Sequence, residues 1–246
     1  MPAVREVIGR VCFAFPPTRA VLEARRRRIA RSNIMERDRL LQFWRGREPD
    51  GNVPEDYLRP TWRSELLAEL LADIPKDARI LELGCNVGRN LAHLADQGYS
   101  RLEGVEISPH AVELLRVSYP QLEDATIHLG PVEEVLPRLI EGYDVIFTMA
   151  VLEHIHPDSV AVFDDMARLG AALLAIEPPP ERYATSSRQF PHDLQVELRR
   201  RGMELVSLTD LTHHPLVAND DLAHYAAYRF ERAGGVGSPA QPTTPA

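Results

Sequence analysis

The chain has 246 residues, 44% of them hydrophobic, which suffices for one core of ordinary density and favours one domain with extensions over two. A formal net charge of −8 excludes a nucleic-acid sheath covering the whole molecule, and two cysteines, Cys12 and Cys85, make no disulfide framework. No apolar run approaches the roughly 20 residues that span a bilayer, and "VIGRVCFAF" is broken by Arg10 and followed by prolines instead of a small-residue cleavage site. The expectation is a soluble cytoplasmic protein without a transmembrane segment.

In chain order, residues 1–60 form a basic extension and loop. The arginine-rich stretch "TRAVLEARRRRIARSNIMERDRLLQFW" keeps Val21, Leu22, Ile29, Ile34, Leu40, Leu41 and Phe43 at roughly helical spacing, so one or two basic helices are predicted. "RRRR", Arg25 to Arg28, suits either a solvated helix face or contact with an acidic surface or substrate, a peripheral membrane surface included. "GREPDGNVPEDYLRP" reads as a connecting loop.

From residue 61 to 232 the pattern alternates. Helix "TWRSELLAELLADI" precedes strand "ARILEL", helix "GRNLAHLADQG", strand "RLEGVEI", helix "PHAVELLRVSY", strand "TIHL" and helix "VEEVLPRLI". Strand "YDVIFTM", helix "SVAVFDDMARLG", strand "AALLAIEP" and helix "FPHDLQVELRRRG" follow, then two strand-like runs, "MELVSLTDL" and "AHYAAYRFERA". Strands this apolar are buried on both faces, so the fold class is α/β: a Rossmann-like, doubly wound and mostly parallel sheet. The last two runs, with no helix between them, add an antiparallel strand through a hairpin-like return. Residues 233–246, "AGGVGSPAQPTTPA", have almost no apolar bulk and are expected to be disordered.

Such a sheet binds ligands at the carboxyl ends of its strands. That rim collects Glu82 to Gly88, the end of "GVEIS", the "HLGPVE" turn and "TMAVLEHIH". A dinucleotide site would want G-x-G-x-x-G, but Gly84-Cys85-Asn86-Val87-Gly88 lacks the middle glycine, and Glu82 would oppose a pyrophosphate. The same carboxylate suits a ligand carrying an ammonium and a sulfonium.

"LELGCNVGRNL" resembles the nucleotide-binding motif of class I S-adenosylmethionine-dependent methyltransferases; "GVEIS" resembles their second strand, "YDVIFTMAVLEHIHP" the fourth and its turn, and "ALLAIEP" the fifth. The resemblance covers roughly residues 61 to 231. It implies a seven-stranded sheet and S-adenosyl-L-methionine as cofactor. Within the superfamily, "GCN-hydrophobic-G-x-N" with "HIHP" and "D-x-M-x-R" is similar to methylases associated with pseudaminic-acid and other surface-sugar pathways.

Carried over by position, the resemblance gives Glu82, Gly84, Asn86 and Gly88 to the methionine and ribose region, Glu106 to the ribose diol, and Ile107 to the adenine face. Many relatives have an aspartate after the third-strand glycine. Here Gly130-Pro131-Val132-Glu133 stands in its place, which moves the adenine contact to Val132 or Glu133. Cys85, Asn90 and Met149 adjoin the same ligand; Cys85 also reads as a small packing residue, and Asn90 as a local helix-start bond. After the fourth strand, His154 and Glu153 are the candidate catalytic pair, His154 as proton acceptor or as a brace for the loop. No histidine grouping suggests a metal.

Methyl transfer is an in-line displacement, so alignment dominates and a base matters only where the nucleophile must lose a proton early. The expected reaction is methyl transfer to an oxygen or nitrogen of a small molecule, such as a sugar nucleotide or secondary metabolite. Selectivity is expected from the extension and from Tyr183, Arg188, Phe190 and His192, the arginines suiting an anionic acceptor. The competing reading is a non-enzymatic S-adenosylmethionine-binding protein with a basic docking arm. A nucleic-acid acceptor is disfavoured, because no aromatic-proline tetrad follows the fourth strand and no recognition domain is present.

Overall fold

The structure is a computed structural model that describes residues 34–46, 53–59, 61–182 and 186–233. The arginine run 25–28, the helical positions before residue 34, Tyr183 and the tail beyond Ala233 lie outside the described residues. The compact unit described below begins at Met35.

Strand β1 (Arg79–Leu83) is buried from Ile80 onward because it lies between two parallel neighbours, β2 (Arg101–Glu106) and β4 (Tyr143–Met149). Strand β3 (Thr126–Leu129) flanks β2, and β5 (Gly170–Glu177) flanks β4, both parallel. Strand β7 (Ala226–Arg232) then inserts antiparallel between β5 and β6 (Met203–Asp210), giving the order β3-β2-β1-β4-β5-β7-β6. The expected return between the last two strands is therefore present. It is made by a long excursion through a 3₁₀ turn, Asp221–His224, and the last strand lies inside the sheet.

Alternate residues of each strand feed separate cores, as the period of two requires. Leu81, Leu83 and Ile146 pack with Phe163 and Met166 of helix α6 (Val162–Leu169) and with Leu194 and Leu198 of helix α7 (Leu194–Arg199). Ile80, Val145 and Phe147 pack with Leu66 and Leu67 of helix α2 (Trp62–Leu70), Leu91 and Leu94 of helix α3 (Arg89–Asp96), and Leu115 of helix α4 (Pro109–Ser118). Helix α4 starts sharply because the Ser108 side chain accepts from the Ala111 N–H and Pro109 needs no partner at the first position. Two further helices complete the wall of the ligand rim, α1 (Arg37–Arg45) and the single turn α5 (Val132–Val135). Among the described residues no helix is long and apolar enough to cross a membrane, and no cluster of three metal-ligating side chains occurs.

Candidate functional site

The carboxyl ends of β1, β2 and β4 open into a cleft of about 350 Å³. The turn from β1 into α3 needs left-handed backbone at Gly84 (φ 68), Asn86 (φ 49) and Gly88 (φ 76). Glycine and asparagine are the residues that reach this region at least cost. The two glycines have different neighbours. Gly84 lines the cleft, and a Cβ there would meet Val151 Cγ2 at 2.6 Å. Gly88, given to the ligand by the sequence reading, is not among the cleft-lining residues; a Cβ there would meet Leu115 Cδ1 at 2.5 Å. It packs α3 onto α4. Cys85, Asn86 and Asn90 do line the cleft.

Glu82 is 2% exposed. Its Oε1 accepts from Asn90 Nδ2 at 2.8 Å, and its Oε2 is buried with no hydrogen-bond partner among the described residues. Burial pushes its pKa up to about 8, opposed by the Asn90 bond and the nearby Arg89 guanidinium. An orphaned, desolvated carboxylate oxygen in a cleft fits a cationic group arriving with a ligand.

Glu106, also buried, accepts the Asn86 N–H at Oε2 and the Ser108 N–H at Oε1, each at 2.8 Å, and the Ile107 N–H also favours its charged form. Burial raises its pKa against the pull of these N–H groups. The two oxygens together offer about four acceptor positions, more than these N–H groups occupy. Ile107 lines the cleft beside it, and Gly130, Pro131, Val132 and Glu133 line it as well.

Asn90 does more than cap locally. Its Oδ1 accepts from Ser64 Oγ at 2.8 Å and Arg89 Nη2 at 3.2 Å while its amide holds Glu82. Arg89 is 9% exposed and donates further to Ser64 Oγ (3.1 Å) and the Tyr57 carbonyl (3.3 Å). Sequence reasoning missed Arg89. Its signal was available: a cation at the first position of a helix opposes the macrodipole and calls for another partner.

Beyond Met149, which ends β4 at the cleft, Ala150 adopts φ 58 and a 3₁₀ turn, Leu152–His154, presents the candidate pair. Glu153 is buried; the Tyr225 hydroxyl donates to its Oε1, and Gln189 Nε2 donates to Oε2 at 2.5 Å. His154 keeps 24% of its side chain exposed in the cleft wall. Its Nδ1 is 2.8 Å from the Arg188 carbonyl, its Nε2 is 3.9 Å from Glu153 Oε1, and its ring centroid is 4.4 Å from that of Trp44. Burial lowers the His154 pKa from 6.5, with the Glu153 charge opposing. His156, the other rim histidine, accepts the Asp158 N–H at 3.1 Å and packs on Phe190, so it braces the loop.

The remaining wall is formed by Leu41 and Trp44 of α1, with Tyr57, Arg63, Gln189, Leu222 and Tyr225. This differs from the expected selectivity segment. Phe190 and His192 are buried, His192 Nε2 bonding the Ile155 carbonyl at 2.7 Å, and the Arg188 guanidinium lies 4.2 Å from the Phe43 ring. None of these three lines the cleft; Gln189 is the residue of that stretch that does. Arg63 reaches the cleft, but Asp220 takes its Nε at 3.0 Å and its Nη2 at 2.8 Å, so its charge is already met.

Residues 54–227 match the methyltransferase-domain family. A curated relative, tRNA U34 carboxymethyltransferase from Alteromonas mediterranea, is 26% identical over 207 residues, 72% of this chain and 61% of that protein. The chain thus spans about three fifths of the length of that relative. Among solved structures, it superposes on the CcbJ methyltransferase from Streptomyces caelestis with a TM-score of 0.55 at 16% identity, covering 78% of this chain and 94% of that one. Magnesium protoporphyrin IX methyltransferase from Synechocystis PCC 6803, solved with bound SAH, gives 0.55 at 17% identity over 80% and 94%. A putative methyltransferase from Haloferax volcanii, solved with the Trm112 activator, gives 0.58 at 15% identity over 75% and 95%. At these identities the likeness to solved structures is one of fold. The family match covers well over half of the chain: it belongs to the methyltransferase-domain family, within the class I methyltransferases whose cofactor is S-adenosyl-L-methionine.

Proposed function

We propose that this chain methylates an oxygen or nitrogen of a small-molecule acceptor bound between Trp44, Tyr57 and Tyr225, with His154 taking the acceptor's proton. The observation that carries the reading is the His154 bond to the Arg188 carbonyl. A carbonyl oxygen only accepts, so Nδ1 holds the proton and Nε2 keeps its lone pair. Burial keeps the ring neutral near pH 7, and the Glu153 carboxylate beside Nε2 stabilises the imidazolium that forms when it accepts a proton.

S-adenosylmethionine, when bound, supplies an electrophilic methyl group on a sulfonium. The orphaned oxygen of Glu82 would hold its ammonium, the Glu106 carboxylate its ribose hydroxyls, and Ile107 with Val132 and Glu133 would flank its adenine. Gly84 and Asn86 shape the backbone that approaches it. Trp44, Leu41 and Leu222 exclude water from the acceptor end and hold the nucleophile in line.

Calorimetry with S-adenosylhomocysteine tests the cofactor assignments, with binding in the micromolar range expected and NAD not bound. A radiolabelled-methyl screen then tests the acceptor. Sugar nucleotides come first, on the resemblance to surface-sugar methylases, followed by phenols, amines and unmodified tRNA. Label entering tRNA alone would refute the small-molecule acceptor; failure to bind S-adenosylhomocysteine would refute the cofactor assignments.

A further inference from the structure

The loop that carries Glu153 and His154 is tied to a carboxylate that does not line the cleft. Glu177 ends β5 and is 0% exposed. Its Oε1 accepts from Thr148 Oγ1 at 2.9 Å and from the Val151 and Leu152 N–H groups at 3.0 Å; its Oε2 accepts the Glu153 N–H at 3.2 Å. The Ala150 N–H is bound one residue earlier on the same strand, by the Ile176 carbonyl at 3.0 Å. Four successive backbone N–H groups, from Ala150 to Glu153, are thus taken up by the end of β5.

We propose that Glu177 is a positioning residue, which holds the turn at Ala150 in its left-handed conformation and thereby aims Glu153 and His154 into the cleft. Ala150 has a Cβ and no intrinsic reason to adopt φ 58, so the conformation persists because its surroundings over-determine it. Glu177 is the group able to do this. Burial, with the neighbouring Glu153 charge, pushes the Glu177 pKa up to about 7, and the Leu152 and Val151 N–H groups and the Thr148 hydroxyl oppose that rise, so these donors are what favour a charge on a wholly buried carboxyl. Four donors meet two oxygens, so both oxygens must accept. Glutamine, of the same size, would set an NH₂ group against one of those N–H donors.

The inference rests on the reading of His154 as the proton acceptor for its meaning, but its test does not need an acceptor. In the full-length protein, Glu177→Gln should raise amide hydrogen exchange at Val151 to His154 by at least about tenfold relative to wild type, with β1, β2 and β4 unchanged. An NMR titration should show the His154 pKa moving up toward 6.5 as the loop loosens. The affinity for S-adenosylhomocysteine should stay within about threefold, since Glu82 and Glu106 are untouched. Unchanged loop exchange and an unchanged His154 titration in a folded variant would overturn the proposal. So would a tenfold loss of S-adenosylhomocysteine affinity with the loop still protected. Should Glu177→Gln fail to fold, Thr148→Val removes one donor to the same oxygen and carries the same test, with an increase of at least about threefold expected and no change overturning it. Wild-type protein that does not bind S-adenosylhomocysteine would count against the cofactor assignments, while the exchange comparison would still decide the role of Glu177.

Discussion

His154 Nδ1 lies 2.8 Å from the carbonyl oxygen of Arg188, a residue 34 positions further along the chain, and this bond fixes which nitrogen of the ring is free. The consequence is a signed pH dependence. Burial holds the His154 pKa below 6.5, so the neutral, proton-accepting form predominates at pH 7 and is lost as pH falls through that depressed value. With cofactor saturating, methyl transfer should be flat from about pH 7 to 8 and decline on the acid side. His154→Ala should slow transfer by about 100-fold or more and abolish the acid limb, while S-adenosylhomocysteine affinity stays within about threefold. A pH–rate series on both proteins checks this.

Glu82 is shifted the other way, upward, yet its effect on function also grows with pH. Its pKa in the ligand-free protein is about 8, so at pH 7 it is largely protonated, and a bound ammonium favours the ionised form. Binding of S-adenosylhomocysteine at pH 7 should release a proton, and affinity should climb as pH rises toward 8. Calorimetry in buffers of different ionisation enthalpy measures the release, which Glu82→Gln should remove. The same raised pKa makes the stability contribution of this group complete below its unfolded value near 4.5 and progressively lost as pH rises through about 8. Ligand-free Glu82→Gln should therefore gain thermal stability relative to wild type at pH 8 more than at pH 5.

In the function proposed above, Trp44 serves the acceptor end of the cleft and not the cofactor end. It lines the cleft from α1 and lies at a tilt against the His154 ring. Trp44→Ala should leave cofactor affinity within about threefold and raise the acceptor KM at least about tenfold, the effect of roughly 1.4 kcal/mol of lost contact. Steady-state kinetics on an acceptor from the screen, beside calorimetry, distinguishes the two ends.

Gly88→Ala should damage folding more than binding. The left-handed conformation costs an alanine about 1–2 kcal/mol, and the added carbon overlaps Leu115 Cδ1 at 2.5 Å. At about 2–4 °C per kcal/mol for a chain of this size, a melting decrease of several degrees is expected. The folded fraction should bind S-adenosylhomocysteine as wild type does, because the side chains of the cleft are unchanged.

The strands, and the four rim segments that they carry, were legible in the sequence for a physical reason. A strand covered on both faces has no polar alternation to confuse it, as in "RILEL", and Glu82, Asn86 and Glu106 lie within a few residues of such strand ends. The local motif could not tell what a glycine is for: Gly84 and Gly88 look alike in "GCNVG", yet the first borders the cleft and the second packs on Leu115. The wall proposed for the acceptor was the least legible part. Trp44, Tyr57, Gln189 and Tyr225 come from four separate segments, and nothing in their spacing announces that they meet. Arg188, Phe190 and His192 had the more suggestive chemistry but spend it on Phe43, the core and the Ile155 carbonyl.

Strand β7 lies between two strands that are both made before it. On a ribosome, β6 emerges with no neighbour to pair with, and β5 has one bare edge, until residues 226 to 232 follow. Tyr225, whose hydroxyl binds Glu153, immediately precedes that strand. Sealing the bare edge of β5 and delivering the last side chain to the cleft are therefore the same event in the birth of the molecule. A nascent chain halted short of residue 225 would have made every other residue that lines the cleft and would still lack the hydroxyl that Glu153 accepts.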